Sequence, residues 1–358
     1  LTTTSLMKRF ITLIFNVFIS NKIGSEALGV FSLVMSVYLF FITVATSGLS
    51  VAATVIVPEK FALQKDKIAI KAIRSCILFS LLLGLNAGLL LILFSNTIVK
   101  VCLHDMVSTK VLFFIAIGLP FIAMSSCITA YFTAIRKAYK NAISQVFEFI
   151  IKFIFTILFL NINISKGVEA ICISLILADV ISEVFSFTFI FILYKFDVKR
   201  KNLNDIRSFS QKMNIIKIAF PVAITSYIRS GLSTLKQLII PTQLEKSGMS
   251  YATALSKYGI LNGMVLPVIT FPTVLMNSYS MLLIPEISTY LAQKNYKAIN
   301  FVCNKIFKIT SAFSFCVCSI FLFFSSELGL VIYNNLESGY YFKILAPLIF
   351  FMYMDHVI

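Results

Sequence analysis

Long apolar runs separated by short polar connections organise this chain from end to end. Ten runs can be drawn, at roughly 1–20, 28–57, 73–98, 111–135, 142–160, 167–194, 215–241, 258–284, 301–325 and 340–358. A helix needs about 20 mostly apolar residues to cross the hydrocarbon core of a bilayer, and these runs match that length. None shows the ten-residue apolar–polar alternation of an outer-membrane barrel strand. The pattern predicts an all-α, polytopic membrane protein with about ten transmembrane helices. No connection is long enough to hold a separate aqueous domain.

The charges sort themselves around these runs. Nineteen of the 31 lysines and arginines fall in the connections at 58–74, 136–141, 195–217 and 285–308, which are every second one. The intervening connections, at 21–28, 99–110, 161–169, 242–257 and 326–343, carry seven between them. That alternation is the positive-inside signature. It puts the N-terminus and the four basic connections on the cytoplasmic face. It also changes the meaning of a net charge of +16, which in a soluble chain would point to a nucleic-acid partner; no such partner is expected here.

Composition agrees: 59% of residues are hydrophobic and only 13% charged, against about 25% charged in a soluble domain. The seven cysteines lie mostly in apolar runs without metal-ligand spacing and read as small packing residues. No metal site or organic cofactor is expected. No GxxxxGK[ST] loop occurs, so the chain is not itself an ATPase. The first run holds Lys8-Arg9 inside it rather than before it, unlike a signal peptide. From Phe10 to Ser20 is too short to span. The first helix must therefore reach back through Leu1, and the last run stops at Ile358 with Asp355 within it. Both ends predict a piece of a longer protein.

Two runs end alike. The second closes on VIVPEKFALQKDKIAIKAI and the eighth on LLIPEISTYLAQKNYKAIN, with Pro58-Glu59 and Pro285-Glu286 in equivalent places, 227 residues apart. Both are even-numbered spans, so the copies share an orientation. Parallel repeats of this kind are a transporter architecture. They divide the chain into a six-helix lobe over 1–194, a cytoplasmic linker over 195–214, and an incomplete lobe over 215–358. Helix-breaking residues interrupt the second, fourth, seventh and eighth spans, and the two repeat spans carry Gly48 in the second and Gly263, Pro267 and Pro272 in the eighth. These are the candidate hinge or gate residues. A proline removes a backbone hydrogen bond, and the freed carbonyl must be covered by protein or a wet cavity, so the eighth span is expected to line something.

Ionisable groups inside spans are functional hypotheses by default. Glu148 and Lys152 are four apart on one helix and read as a structural pair. Asp179 and Glu183 are also four apart but alike in sign, which makes them a candidate cation site. The remaining intramembrane charges are Arg9, Arg229, Lys236 and Asp355.

Read in order, NKIGSEALGVFSLVMSVY (21–38), TSGLSVAATVIVPEKFAL (46–63), AYFTAIRKAYKNAISQVFE (130–148), TSYIRSGLSTLKQLIIP (225–241), YGILNGMVLPVITFPTVLMNSYSMLLIPEIS (258–288) and LAPLIFFMYMDHVI (345–358) resemble one family. It is the stage V sporulation protein B group of lipid-linked oligosaccharide flippases. That group sits with the polysaccharide exporters, lipid II flippases and multidrug and toxin extrusion transporters. The resemblance implies about fourteen spans in two lobes, of which this chain would be the first ten. It also implies that Arg9, on the first helix, lines a central cavity and meets the substrate headgroup, with Arg229 on the equivalent helix of the other lobe. Lys236 stands where close relatives would carry an acid and adds a third cation to this set. A guanidinium meets pyrophosphate with planar, bidentate hydrogen bonds.

The implied function is non-enzymatic: flipping a polyprenyl-pyrophosphate-linked glycan, such as an oligosaccharide or peptidoglycan precursor, across the bacterial cytoplasmic membrane by alternating access. The drive would come from a coupling ion, Na+ or H+, or from the membrane potential. Membrane lipids and cell-wall synthesis enzymes are the expected partners. The forespore-surrounding membrane is the expected place if the role is in sporulation. The alternative is a cation-coupled antiporter of drugs or organic cations from the same superfamily, for which Asp179 and Glu183 would supply the acids. A membrane-embedded glycosyltransferase would need a catalytic acid in an outer loop, where His104-Asp105 is the one suggestive pair.

Overall fold

Two glycines with positive φ, Gly24 and Gly48, interrupt the helical backbone near the start of the chain. The computed structural model describes residues 2–62, 66–200, 212–276, 283, 287, 290–291 and 293–355. Helix α1 runs Thr2–Thr46 but is kinked at Gly24, where φ is 77°. After a turn at Ser47-Gly48, α2 covers Leu49–Ala62. The apolar stretch 9–61 is 53 residues long. At ~1.5 Å per residue it far exceeds the ~30 Å of one hydrocarbon core, so its length suits two crossings rather than one. The polar residues 21–28, read above as an external connection, are helical and only bent at Gly24.

Helix α3 (Asp66–Leu93) is followed by the short α4 (Ser95–Cys102), then α5 (Thr109–Ala134), α6 (Ala138–Asn163) and α7 (Val168–Arg200). The connections are tight because single residues accept φ above zero: His104 and Asp105 before α5, Arg136 before α6 and Gly167 before α7. Helix α8 covers Lys212–Lys246 and α9 covers Tyr251–Gly259. A π-helical turn at Ile260–Val265 leads into α10 (Leu266–Thr270). Then come α11 (Tyr296–Phe323), α12 (Ser325–Tyr333), α13 (Leu336–Leu345) and α14 (Leu348–Asp355).

Among the described residues seven helices are long and apolar enough to cross a membrane, against the ten runs drawn from sequence. The difference has three causes. The first two runs merge into 9–61. Helix α8 is diluted by Arg229, Lys236 and a row of Ser, Thr and Gln. The last run is split at Ala346-Pro347 into two helices of 10 and 8 residues.

The chain packs as two compact units: residues 1–29 with 255–358, and residues 30–254. In the larger unit, α2, α3, α5 and α7 enclose a core around Val57, Ile70, Ile73, Tyr131, Phe132 and Tyr194. At its edge Asp197, 6% exposed, accepts from the Tyr131 hydroxyl at 2.9 Å, from Lys137 at 2.6 Å and from Lys140 at 3.1 Å. The carboxylate is thereby fully paired, as a buried charge must be. In the smaller unit α1 and α9 cross with no side chain between them. A Cβ on Gly259 would sit 2.6 Å from the Gly29 nitrogen, and Ser25 and Ser256 share a 2.6 Å hydrogen bond beside it. Small residues at such a crossing let backbones approach closely, a usual membrane packing device.

Candidate functional site

Arg9, Thr12, Leu13 and Asn16 recur at helical spacing on the first part of α1 and form one wall of a cavity of about 450 Å³. The opposite wall is Pro267 and Thr270 of α10 and the adjacent Phe271. Phe10 packs on Phe271 with ring centroids 6.1 Å apart. Arg9 is exposed to this space. A guanidinium, two hydroxyls and an amide give a set rich in hydrogen-bond donors, and the described lining contains no carboxylate. Chemically it suits an anion. The eighth run, expected to line something, does so here through Pro267.

The local fold of that run follows from its broken backbone. Around the π turn and prolines 267 and 272, the helix leaves carbonyls poorly served, and tyrosines from later helices cover them. The Tyr333 hydroxyl donates to the Met264 carbonyl and the Tyr353 hydroxyl to the Ile269 carbonyl, each at 2.8 Å. Both tyrosines are buried. Gly263 lies within the π turn, where a Cβ would press on the Leu28 side chain. Pro272 follows Phe271 in a turn at the end of α10.

Gly48 has φ 83°, and a Cβ there would strike the Ala219 carbonyl of α8, so both conformation and space require glycine. Pro58 sits inside α2. Its counterpart, Pro285-Glu286, lies outside the described residues, as does most of the 195–214 linker.

Arg229 and Lys236 are seven residues apart on α8, two turns along one helical face, and both are exposed. Two hydrogen bonds to α1 hold this helix: the Tyr227 hydroxyl donates to the Val44 carbonyl and Thr234 Oγ1 to the Ser36 carbonyl, each at 3.1 Å. Both cations belong to the larger unit, and the described lining of the Arg9 cavity includes neither.

The acids come together with a partner that spacing alone did not reveal. Lys152 on α6 forms an ion pair with Asp179 on α7, which is 7% exposed. Glu148, four residues before Lys152, accepts a 2.9 Å hydrogen bond from Ser186, and Ser186 and Ser144 lie 3.3 Å apart. Asp179, one turn from the like-charged Glu183, thus stands beside an ammonium that offsets the repulsion between the two acids. The hydroxyl of Tyr38, 2% exposed, has no hydrogen-bond partner among the described residues and lies within electrostatic reach of Glu183, Asp179 and Glu148. No three His, Cys, Asp or Glu side chains among the described residues converge closely enough to hold a metal ion. His104 is engaged elsewhere, 3.0 Å from the Tyr251 hydroxyl.

Sequence reasoning singled out Arg9 and Pro267 separately but did not join them. Thr12 and Asn16, polar positions on the same face of an apolar helix, were the available signal.

Comparison with known proteins gives a consistent picture. The family described as polysaccharide biosynthesis protein matches residues 1–291. Stage V sporulation protein B of Bacillus subtilis (strain 168) is 22% identical over 361 aligned residues, covering 98% of this chain and 68% of that protein. An inward-facing multidrug resistance MATE family transporter of the MOP superfamily superposes with a TM-score of 0.69 at 14% identity, over 98% of this chain and 79% of that one. A MOP superfamily transporter from Pyrococcus furiosus, described as having a binding pocket of reversed polarity, superposes with a TM-score of 0.63 at 14% identity. That match covers 100% of this chain and 78% of that one.

Proposed function

The chain belongs to the polysaccharide biosynthesis protein family; we propose that it is a multi-pass membrane transporter whose cargo is a lipid-linked glycan precursor, carried across the bacterial cytoplasmic membrane by alternating access. The observation that carries this reading is the Arg9 cavity, with its cation, its hydroxyls and amide, and no carboxylate in the described lining. A sugar pyrophosphate must be kept from hydrocarbon and met by donors, while a polyprenyl tail can stay in lipid. An organic cation would need an acid in the same place, so the antiporter reading gains nothing from this cavity. Arg229 and Lys236, on one exposed face of α8, are proposed as further headgroup contacts met along the path. The lobes at 1–194 and 215–358 are proposed as the two moving bodies, with Gly48, Gly263, Pro267 and Pro272 as the places where they bend.

The proposed drive is a coupling ion at Asp179 and Glu183, or the membrane potential itself, worth ~2.3 kcal/mol per charge per 100 mV. Work beside cell-wall synthesis enzymes, including those around the forespore, completes the proposal. The test is reconstitution of the full-length protein in liposomes with a labelled polyprenyl-pyrophosphate sugar, followed by measurement of its movement between leaflets. Arg9→Ala removes charge-assisted bonds worth about 1.5–3 kcal/mol and is expected to slow flipping by roughly ten- to a hundredfold. Arg9→Lys is expected to keep part of the activity, because lysine is not bidentate. Flipping at the wild-type rate by correctly inserted Arg9→Ala protein would overturn the proposal.

A further inference from the structure

A second cavity, of about 440 Å³, opens between α3 and α7 in the larger unit, far in sequence from the Arg9 site. Its volume falls within the ~300–1,000 Å³ typical of small-molecule sites. Three cations rim it: Arg74 on α3, and Lys195 and Lys199 one turn apart on α7. All three are exposed, and none forms an ion pair with an Asp or Glu among the described residues. The acid closest in sequence to the two lysines, Asp197, is already committed to Tyr131, Lys137 and Lys140. Among the described residues no carboxylate neutralises the positive charge at this mouth.

Beneath the rim the walls turn apolar, with Ile77, Phe191 and Val198. The Lys195 ammonium lies 4.8 Å from the Phe191 ring centroid, an attractive cation–π distance that draws the ammonium over the apolar wall. At the back, Tyr194 is 5% exposed. The Arg74 guanidinium stands beside that hydroxyl. A buried hydroxyl beside the guanidinium of a basic mouth makes an oxyanion's partners, and the apolar wall is an acyl chain's.

Position decides the occupant. Arg74 lies in the third turn of α3, and Lys195 and Lys199 lie in the last two turns of α7. Both helix ends adjoin the basic, cytoplasmic connections, so the mouth lies at headgroup level of the inner leaflet. Basic pockets between membrane helices on that side suit anionic lipid headgroups, which also concentrate there. We propose that this cleft binds one anionic phospholipid of the inner leaflet, its phosphate held by Arg74, Lys195, Lys199 and the Tyr194 hydroxyl, and one acyl chain laid along Ile77, Phe191 and Val198. The proposal is independent of the cargo. It needs only the charge-derived orientation.

The test uses full-length protein in detergent, titrated with phosphatidylglycerol, phosphatidylcholine and inorganic phosphate, with bound molecules counted by native mass spectrometry. One bound phosphatidylglycerol per chain is expected, displaced by neither of the other two. The Arg74→Gln/Lys195→Gln/Lys199→Gln variant is expected to lose it by on the order of a hundredfold, from about 1 kcal/mol per charge. A control that removes equal charge elsewhere on the face, Lys60→Gln/Lys67→Gln/Lys71→Gln, is expected to keep it. Should the triple pocket variant not fold, the single Lys199→Gln variant decides, with an expected loss of about fivefold. Equal losses in pocket and control variants would mean diffuse surface charge and overturn the proposal. Equal binding of phosphatidylcholine, or displacement by inorganic phosphate, would also overturn it. Arg9→Ala protein is expected to retain the lipid, which separates this site from the transport cavity whatever the fate of the cargo proposal.

Discussion

Replacing Lys152 with methionine removes a charge but little volume, and so isolates the α6–α7 ion pair from the packing around it. In the wild-type protein the Asp179 side chain is 10% exposed and the Lys152 side chain 24%, with Glu183 one turn along α7 and Glu148 one turn back on α6. Lys152→Met leaves three carboxylates in a helix-packed region without their nearest ammonium. Breaking a buried pair by removing one partner costs ~3–5 kcal/mol, because an uncompensated charge remains. The reverse change, Asp179→Asn, leaves an ammonium that is the more exposed partner and still has acids near it, so its cost is expected to be the smaller. The double change Lys152→Met/Asp179→Asn is expected to recover most of the loss, since replacing both members of a buried pair is often close to neutral. Reversible unfolding of the full-length protein in mixed micelles, over all four combinations, gives the coupling directly. Strictly additive single effects, or wild-type stability for Lys152→Met, would refute the claim that this pair is a desolvated contact between α6 and α7.

Other expectations follow from single contacts. Gly259→Leu forces side-chain atoms into the Ser25 and Gly29 backbone; overpacking costs about 1–3 kcal/mol or more, and the same unfolding assay should show a loss of at least that size. Tyr333→Phe strips the Met264 carbonyl of its donor, and an unsatisfied buried acceptor costs ~1–3 kcal/mol, read as destabilisation without loss of membrane insertion. Burial pushes the Cys102 thiol up from its ordinary value. Its maleimide labelling from outside intact cells should therefore keep rising with pH after that of an ordinary thiol, of pKa ~8.5, has levelled off; a profile that levels off with or before the ordinary thiol's would contradict the burial. A cysteine placed anywhere in 201–211 should label only after the cells are opened, and labelling from outside would reverse the orientation.

Much of the architecture was legible in the chain because a bilayer imposes a simple requirement. Backbone polar groups must be satisfied within the segment that crosses, so apolar runs of sufficient length become helices, and lysine and arginine between them set orientation. That requirement acts residue by residue and leaves its record in local composition. Hence the apolar helices, the alternating basic connections and the irregular eighth run, with its prolines, could all be read before any coordinates. The boundaries were less legible. The stretch 21–28 looks like a loop by polarity, yet only Gly24 bends it, because helical propensity carries the rest through.

Which side chains meet was decided by tertiary packing alone. Lys152 is four residues from Glu148 in sequence, but its ion pair with Asp179 crosses from α6 to α7, and helix rotation, not spacing, sets that. Arg9 and Pro267 form one cavity across a separation of more than 250 residues, because the two ends of the chain fold into the same unit. The basic rim of Arg74, Lys195 and Lys199, without an ion pair among the described residues, could not be told from ordinary cytoplasmic charge until the structure showed Asp197 turned to other partners. Periodicity and charge bias are local properties and survive in a string of letters. Contacts between helices depend on rotation and crossing about each axis, which no short window of sequence contains.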